Sequence, residues 1–589
     1  MKSPLKAWVR ALEMTAPIER EPLRTLPVLI DQLAVRFEAV PALVSPDAGL
    51  TYGQLAADCH RYARWAVSQG LRRGDTVGLL MTNRAHYLPL WLGLTRAGVC
   101  VALLNTQLRG EVLAHCIRIA APRLVIVGSE LCDAVPGVRS RLDRALTWWA
   151  FGGGSHELPR MDLAAADLPA FEISPDEIAL PALDERALFI YTSGTTGLPK
   201  AANVSHYRIM QWSHWFAGMM DTQPGDRMYD CLPLYHSVGG IVATGATLVG
   251  GGTVVLRERF SASNFWQDVS AERCTLFQYI GELCRYLVNS DPGPQESAHN
   301  LRLCCGNGLR AEVWERFQSR FRIPQILEYY ASTEGNFSLY NCEGKPGAIG
   351  RIPPFLKHRM PVEVVRFDLQ TETPQRNSEG HCQACAPNEP GEAIGKLQSA
   401  ETRQLGRFEG YADEAATAKK ILRNVFVDGD AWYRTGDLMR RDEQGFFYFV
   451  DRVGDTFRWK GENVSAAEVT GVLASCPGVS DAAVYGVQVP GTDGRAGMAA
   501  IVTGPGFELR SFRDHLIAQL PDYARPVFLR LVPAMELTAT FKLRKQTLIA
   551  DGIDPTRIDG LYVEDRRQGT YVALDSALYS RLQAGTLKL

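Results

Sequence analysis

The chain has 589 residues, too many for a single hydrophobic core, and its length points to roughly two to four domains. Hydrophobic residues make up 46% of it and charged residues 22%, ordinary proportions for a soluble globular protein. A formal net charge of −2 supplies no general attraction to nucleic acid or to acidic membranes, so no nucleic-acid partner is expected.

The amino terminus, MKSPLKAWVRALEMTAPIEREPLR, lacks the apolar core of a secretory signal, and a cytoplasmic location is expected, with the inner face of a membrane as its alternative setting. Within it LKAWVRALEM mixes apolar and basic residues at roughly helical spacing, so a peripheral association with a membrane surface is weighed for it, although so short a mixed-charge helix binds weakly. Next, TYGQLAADCHRYARWAVSQG reads as an amphipathic helix, TVGLLM as a strand, HYLPLWLGLTRAG as a helix and VCVALLN as a strand. That alternation predicts an α/β fold with several layers.

The run YTSGTTGLPKAANVSH, from Tyr191 to His206, crowds Gly, Ser and Thr in front of Lys200. Glycines allow consecutive amides to converge on an anion, hydroxyls add donors and the lysine adds charge, which are the parts a triphosphate needs. The spacing is not that of a Walker A loop, because Gly197 is followed by LPK and then Ala201. A solvated turn is the competing reading. ALFIY before it reads as a buried strand and HYRIMQWSHWFAGMM after it as a helix, so the loop is expected to join a strand to a helix.

VGGIVATGATLVGGGTVVL, Val238 to Leu256, is long and uncharged enough to be weighed as a membrane span, but Gly250 to Gly252 divide it into a small-residue helix and a β-branched strand, as in a buried αβ unit. The rhythm continues through NFWQDVSAE, TLFQYI, GELCRYLVN and LRLCCGNG. The last of these leads into Gly306-x-Gly308-x-x-Ala311, with Glu328 roughly twenty residues on, which satisfies the wording of a dinucleotide fingerprint. Its place late in the chain, beyond a separate phosphate-type loop, argues against nicotinamide chemistry. No GxSxG elbow occurs, and HELPR at His156 lacks the second histidine of HExxH.

Thirteen cysteines without a spaced framework point to free thiols in a reducing compartment. Cys382 and Cys385 have CxxC spacing, but no second pair exists and His381 does not complete a zinc set, so no metal is expected there. After FFYFVDRVGD the texture changes: DAAVYGVQV and GMAAIVTG read as strands joined through PGTDGRA, and SFRDHLIAQL as a helix. A boundary near Arg452 to Asp455 then divides a large domain, 1–452, from a small mobile α+β domain, 453–589.

Taken in order, YTSGTTGLPK, PLYHSVGG, EYYASTEGN, YRTGDL, DRVGDTFRWKGENVSAAE and TATFKLRK resemble the motifs of the adenylate-forming acyl-CoA synthetase superfamily, over nearly the whole chain from about Leu50. FSASNFW, QYIGELCRYL, GNGLR, DTFRWKGENVS, PGTDGRAGMAA and YARPVFLRL are similar to the fatty acid transport protein branch, whose members are long-chain or very-long-chain acyl-CoA synthetases. The resemblance implies an enzyme that joins a fatty acid to coenzyme A through an acyl-adenylate, using ATP and Mg²⁺.

Residue by residue, the resemblance implies that Thr192, Ser193, Gly194, Thr195, Thr196, Gly197 and Lys200 hold the β/γ phosphates, that Glu334 binds Mg²⁺, and that Thr333 sits on the α-phosphate. It further implies that Gly306, Asn307 and Gly308, with Glu328, Tyr329 and Tyr330, line an adenine slot with an aromatic ring available for stacking. Asp437 and Arg452 would reach the ribose, and Lys542 would be the catalytic lysine. Lys460, Gly461 and Glu462, in the loop with Asn463, would face the CoA thiol after a domain rotation. His236 either gates the acyl pocket or packs against it. One departure is Gly454, two residues after the ribose arginine, where the family usually has Asp or Lys; a glycine hinge keeps the rotation but loses the side chain. An adenylating enzyme that loads a carrier protein, and a membrane fatty acid carrier without catalysis, are the rival readings. Nothing in the pattern selects between a monomer and a homodimer.

Overall fold

The computed structural model describes residues 4–154, 157–192, 198–369, 371–397, 407–459, 462–490, 494–538, 543–584 and 586–587. The chain divides into two compact units: Met1–Met360 with Leu397–Ile421, and Pro361–Lys396 with Leu422–Leu589.

Apolar runs bounded by turns form the two sheets of the first unit. One sheet has six strands, in the order Thr147–Phe151, Leu124–Gly128, Thr76–Leu80, Cys100–Leu103, Arg186–Thr192 and Lys200–Ser205. The other has eight, in the order Ser338–Asn341, Ile326–Ala331, Leu303–Asn307, Leu276–Ile280, Arg227–Asp230, Thr253–Leu256, Pro41–Val44 and Gly49–Thr51. Both are parallel in their centres, where helices must cover each face and the strands are buried throughout, and antiparallel at an edge. The alternating helices and strands read from the sequence are present, among them the helices Tyr52–Ser68, Tyr87–Arg96 and His206–Met220. Val238 to Leu256 is the buried αβ unit expected: a π-helical turn Val238–Ala243, a helix Thr244–Val249 and the strand Thr253–Leu256.

One expectation is corrected. The glycine-rich loop joins two strands rather than a strand and a helix, because KAANVS forms the strand Lys200–Ser205, antiparallel to Arg186–Thr192 with Thr192 opposite Lys200. Its small residues leave little β signature, yet Ala201, Ala202 and Val204 are buried. The amino-terminal helix, Pro4–Thr15, packs part of its apolar surface within the first unit and leaves Leu5 and Val9 exposed. Ala7, Trp8 and Ala11 are buried against the helix His206–Met220, with the Trp8 ring 5.9 Å from Trp215 and 5.5 Å from Tyr340. Gly218 permits this approach, since a Cβ there would meet the Ala11 backbone at 2.5 Å. Arg10 donates to the Gly218 carbonyl at 3.1 Å and pairs with Asp221 at 3.3 Å. Among the described residues no helix is long and apolar enough to cross a membrane.

The second unit holds an antiparallel sheet that includes Val362–Val365, Gly391–Lys396, Ala431–Arg441 and Phe447–Arg452. It also holds a five-stranded sheet in the order Val479–Gln488, Arg495–Thr503, Phe528–Leu531, Leu561–Asp565 and Thr570–Ala573. The helices Ala466–Ala474 and Leu509–Gln519 contribute Val469, Leu473, Phe512 and Leu516 to its core. The boundary drawn at 452/453 falls between these two sheets. Cys382 packs with Val365, Ile394, Val425 and Trp432, and the Cys385 thiol donates to the Pro390 carbonyl at 3.7 Å. Among the described residues no cluster of His, Cys, Asp and Glu could hold a metal ion by itself.

Candidate active site

Ser193, Gly194, Thr195, Thr196 and Gly197 lie outside the described residues, as do Lys460, Gly461 and Lys542. On either side of residues 193–197, Thr192 pairs with Lys200. The outer edge of this hairpin, the strand Lys200–Ser205, would leave unpaired backbone groups, and Gly410–Ala412 covers it: Asn203 donates to the Gly410 carbonyl at 3.0 Å, and Ala412 to the Ala201 carbonyl at 2.9 Å. This backbone pairing sets Ala202 opposite Tyr411 and brings Tyr411 to the mouth of the hairpin. The Lys200 ammonium lies 5.6 Å from the centre of the Tyr411 ring, and the Tyr411 hydroxyl donates to Glu334 Oε1 at 2.7 Å. Thr192 also hydrogen-bonds to Tyr411. Burial first, and then the Glu334 charge, push the Tyr411 phenol far above its ordinary pKa, so it remains a neutral donor.

Glu334 is buried and Thr333 half-buried, on the turn that follows the strand Ile326–Ala331. Arg208 fixes that turn from below. Its guanidinium donates to the carbonyls of Thr333 at 2.6 Å and Gly335 at 3.1 Å, and also to the Arg407 carbonyl. Glu409, equally buried, balances the charge at 3.6 Å and accepts from Ser205 Oγ at 2.5 Å and Ser205 N at 2.8 Å. Ser205 at the same time caps the helix His206–Met220. One polar network therefore ties together the hairpin, the Thr333–Glu334 turn and the segment bearing Tyr411. The hydroxyls of Ser237 and Thr333 are 3.2 Å apart, which brings the PLYHSVGG loop to the same place. His236 in that loop is half-buried, with its ring 4.7 Å from that of Tyr235.

Gly306, Asn307 and Gly308 end the strand Leu303–Asn307, and they pass from buried to exposed within those three residues. Strand alternation separates the three residues expected beside them. Glu328 is buried and accepts hydrogen bonds from the Tyr279 hydroxyl at 2.5 Å and the Leu309 amide at 3.1 Å. Burial raises its carboxyl to about 8. Tyr329 points into the core, its ring 4.7 Å from Phe216 and 6.5 Å from Tyr340, and is unavailable to a ligand. Of the three, Tyr330 alone is partly open, with its ring 5.5 Å from Phe337.

In the second unit, Asp437 and Arg452 face each other across adjacent strands, with Nε and Oδ1 3.5 Å apart. Gly454 has φ +92 and nothing within 4 Å of where a Cβ would stand. Glu462 is exposed on the short strand Glu462–Val464. Lys545 pairs with Asp455, one residue beyond Gly454, at 3.2 Å, a contact the sequence did not suggest.

Sequence reasoning also missed Tyr411, Arg208, Glu409 and Tyr279. A tyrosine after Gly410 and before the helix-capping Asp413 was the one available signal for Tyr411. Arg208 and Glu409 gave none, because only the fold makes them neighbours. As to Mg²⁺, Glu334, Thr333 and Thr192 offer hard oxygen donors suited to that ion. With no group of three or more His, Cys, Asp and Glu that could hold a metal among the described residues, a divalent ion here would take phosphate oxygens as its remaining ligands.

Residues 30–374 match the family model described as AMP-binding enzyme, and residues 468–542 match the AMP-binding enzyme C-terminal domain. Long-chain fatty acid transport protein 1 of Mus musculus is 43% identical over 578 residues, which is 96% of this chain and 88% of that one. Among solved structures, the anthranilate CoA ligase AuaEII with anthranoyl-AMP superposes at a TM-score of 0.76 and 21% identity, covering 89% of this chain and 96% of that one. ATP-bound MatB from Rhodopseudomonas palustris does so at 0.73 and 23% identity, covering 89% and 98%. These likenesses carry the fold, a large α/β domain with a smaller carboxyl-terminal one. By its family match and its sequence identity, the chain belongs to the AMP-binding enzymes and, within them, to the long-chain fatty acid transport protein family.

Proposed function

We propose that the protein is an ATP-dependent fatty acid–CoA ligase, AMP-forming, that acts on long-chain or very-long-chain fatty acids through an acyl-adenylate. The observation that carries this reading is the convergence of Thr192, Lys200, Tyr411, Glu334, Thr333 and Ser237 where the strands Arg186–Thr192 and Lys200–Ser205 flank the glycine-rich segment. A carboxylate is a poor electrophile, and attack of its oxygen on the α-phosphate of ATP, with pyrophosphate leaving, makes it reactive. That step gathers a carboxylate and a triphosphate in one place, so its barrier falls when cations and oriented donors meet the charge. In this reading Lys200, the hydroxyls of Thr192 and Thr333, and residues 193–197 meet that charge. Mg²⁺ bound at Glu334 supplies further charge neutralisation. Tyr411 and Arg208 hold Glu334 and its turn in position.

Asp437 and Arg452 bind the ribose hydroxyls, for which a carboxylate offers two acceptor oxygens. Lys542 serves adenylation; rotation of residues 453–589 about Gly454 then brings Lys460, Gly461 and Glu462 to the CoA thiol, which displaces AMP. The relatives are named long-chain fatty acid transport proteins, which supports a long acyl chain.

Purified protein given ATP, Mg²⁺, CoA and fatty acids from medium to very long chain should form AMP and acyl-CoA in equal amounts, fastest with long chains. Transfer only to a carrier protein's phosphopantetheine would replace this reading with carrier loading. Fatty acid binding without ATP consumption would replace it with a non-catalytic carrier.

A further inference from the structure

In three neighbouring strands of the eight-stranded sheet the register aligns Tyr279, Gly306 and Glu328. Gly306 has no side chain for a reason visible here. A Cβ on it would meet the Tyr279 carbonyl oxygen at 2.2 Å and ring carbons of the same residue at 2.5 and 2.6 Å. The Tyr279 ring therefore leans over Gly306, and its hydroxyl reaches Glu328 at 2.5 Å. The other Glu328 oxygen takes the Leu309 amide at 3.1 Å, and the Gly308 amide also hydrogen-bonds to this carboxyl. Gly308 itself has φ +79, and a Cβ on Gly281 would lie 1.9 Å from its carbonyl oxygen, so the turn is closed from that side too.

A carboxyl buried among apolar strands is costly to fold, and a leucine of similar size would be cheaper. We propose that Glu328 and Tyr279 are positioning residues for the nucleotide: their bridge across Gly306 fixes the turn Gly306–Leu309 in the shape that receives the adenine ring. This rests on the assignment of that turn to ATP. A turn fixed before binding loses little freedom when the ligand arrives, so the bridge contributes to nucleotide affinity without touching the nucleotide. It also gives the glycine fingerprint a different meaning. Gly306 serves the bridge, and the exposed Gly308 serves the ligand.

The test compares wild type with Tyr279→Phe, Glu328→Gln and Glu328→Ala, measuring ATP binding alone by calorimetry and the KM values for ATP and palmitate in acyl-CoA formation. Glu328→Ala is expected to weaken ATP binding and raise the ATP KM about tenfold, and Tyr279→Phe about threefold, with the palmitate KM within about twofold of wild type. Glu328→Gln keeps an acceptor for Leu309 and should recover most of the affinity. Wild-type ATP affinity in folded Tyr279→Phe and Glu328→Ala would overturn the proposal, as would equal rises in both KM values. Should Glu328→Ala not fold, Tyr279→Phe, which loses only a hydroxyl, decides alone. Wild type that binds ATP but makes no acyl-CoA would refute the ligase reading while the affinities still judge the bridge; wild type that binds no ATP would overturn both.

Discussion

Lys200 and Glu334 stand on the two sides of Tyr411, one as a cation near its ring and the other as the acceptor of its hydroxyl. If both meet charge that develops as the acyl-adenylate forms, Lys200→Ala and Glu334→Ala should each lower kcat for acyl-CoA formation by about 10²-fold or more. Steady-state kinetics on folded variants checks this, and wild-type rates would refute it. Glu328 gives a prediction about pH. Its pKa is raised from 4.5 to about 8, so between those values the folded protein keeps a proton that the unfolded chain has released. The stability it contributes is whole below about pH 4.5 and is lost as the pH rises towards about 8. Its titratable neighbours Tyr279, Cys284 and Cys305 are all pushed upward by burial and stay neutral across that range. Glu328→Gln should flatten this part of the stability profile in denaturant titrations at a series of pH values, and unchanged slopes would contradict the assignment. At this scale the residue types that carry the chemistry were legible, because loops rich in Gly, Ser and Thr and isolated charges stand out in a chain. Their orientation was not: Tyr329 and Tyr330 are adjacent in sequence, and only the pleat turns one inward and the other out.

Among the elements, long helices with a clear apolar stripe and buried parallel strands could be read directly, since their periodicity is local. The strand Lys200–Ser205 escaped because its small residues resemble a loop, and what makes it a strand is the pairing on both sides, with Arg186–Thr192 and with Gly410–Ala412. The amphipathic helix Pro4–Thr15 was legible as a helix, whereas the partner of its apolar face was not, because a membrane and another helix ask for the same stripe. Trp8 is almost wholly buried there, at 2% exposure, and Trp8→Ala should destabilise the protein by about 3–5 kcal/mol in denaturant unfolding. Liposome co-sedimentation of that variant should match wild type. A loss of lipid binding with unchanged stability would instead place this helix on a membrane surface.

For the molecule as a whole, the sequence of motifs made the family recognisable, while the network of Arg208, Glu409 and Ser205 beneath them depends on residues about 200 positions apart and could not be read from one chain. The proposed two-step cycle assigns the two half-reactions to different arrangements of residues 453–589. Lys542→Ala should then lose adenylation and still convert a supplied acyl-adenylate to thioester. Gly454→Pro should lose one half-reaction and keep the other, because proline holds φ at about −65° and Gly454 has φ +92. Equal impairment of both half-reactions in folded Lys542→Ala, or an unaffected overall rate in Gly454→Pro, would remove the basis for the cycle.

Formation of the acyl-adenylate at the hairpin site is the central proposed step, and it can be isolated by leaving CoA out. Purified protein with ATP, Mg²⁺ and a long-chain fatty acid should exchange labelled pyrophosphate into ATP, with the exchange dependent on the fatty acid and abolished when Mg²⁺ is chelated. Exchange that proceeds equally without fatty acid, or none at all from protein that binds the fatty acid, would contradict it.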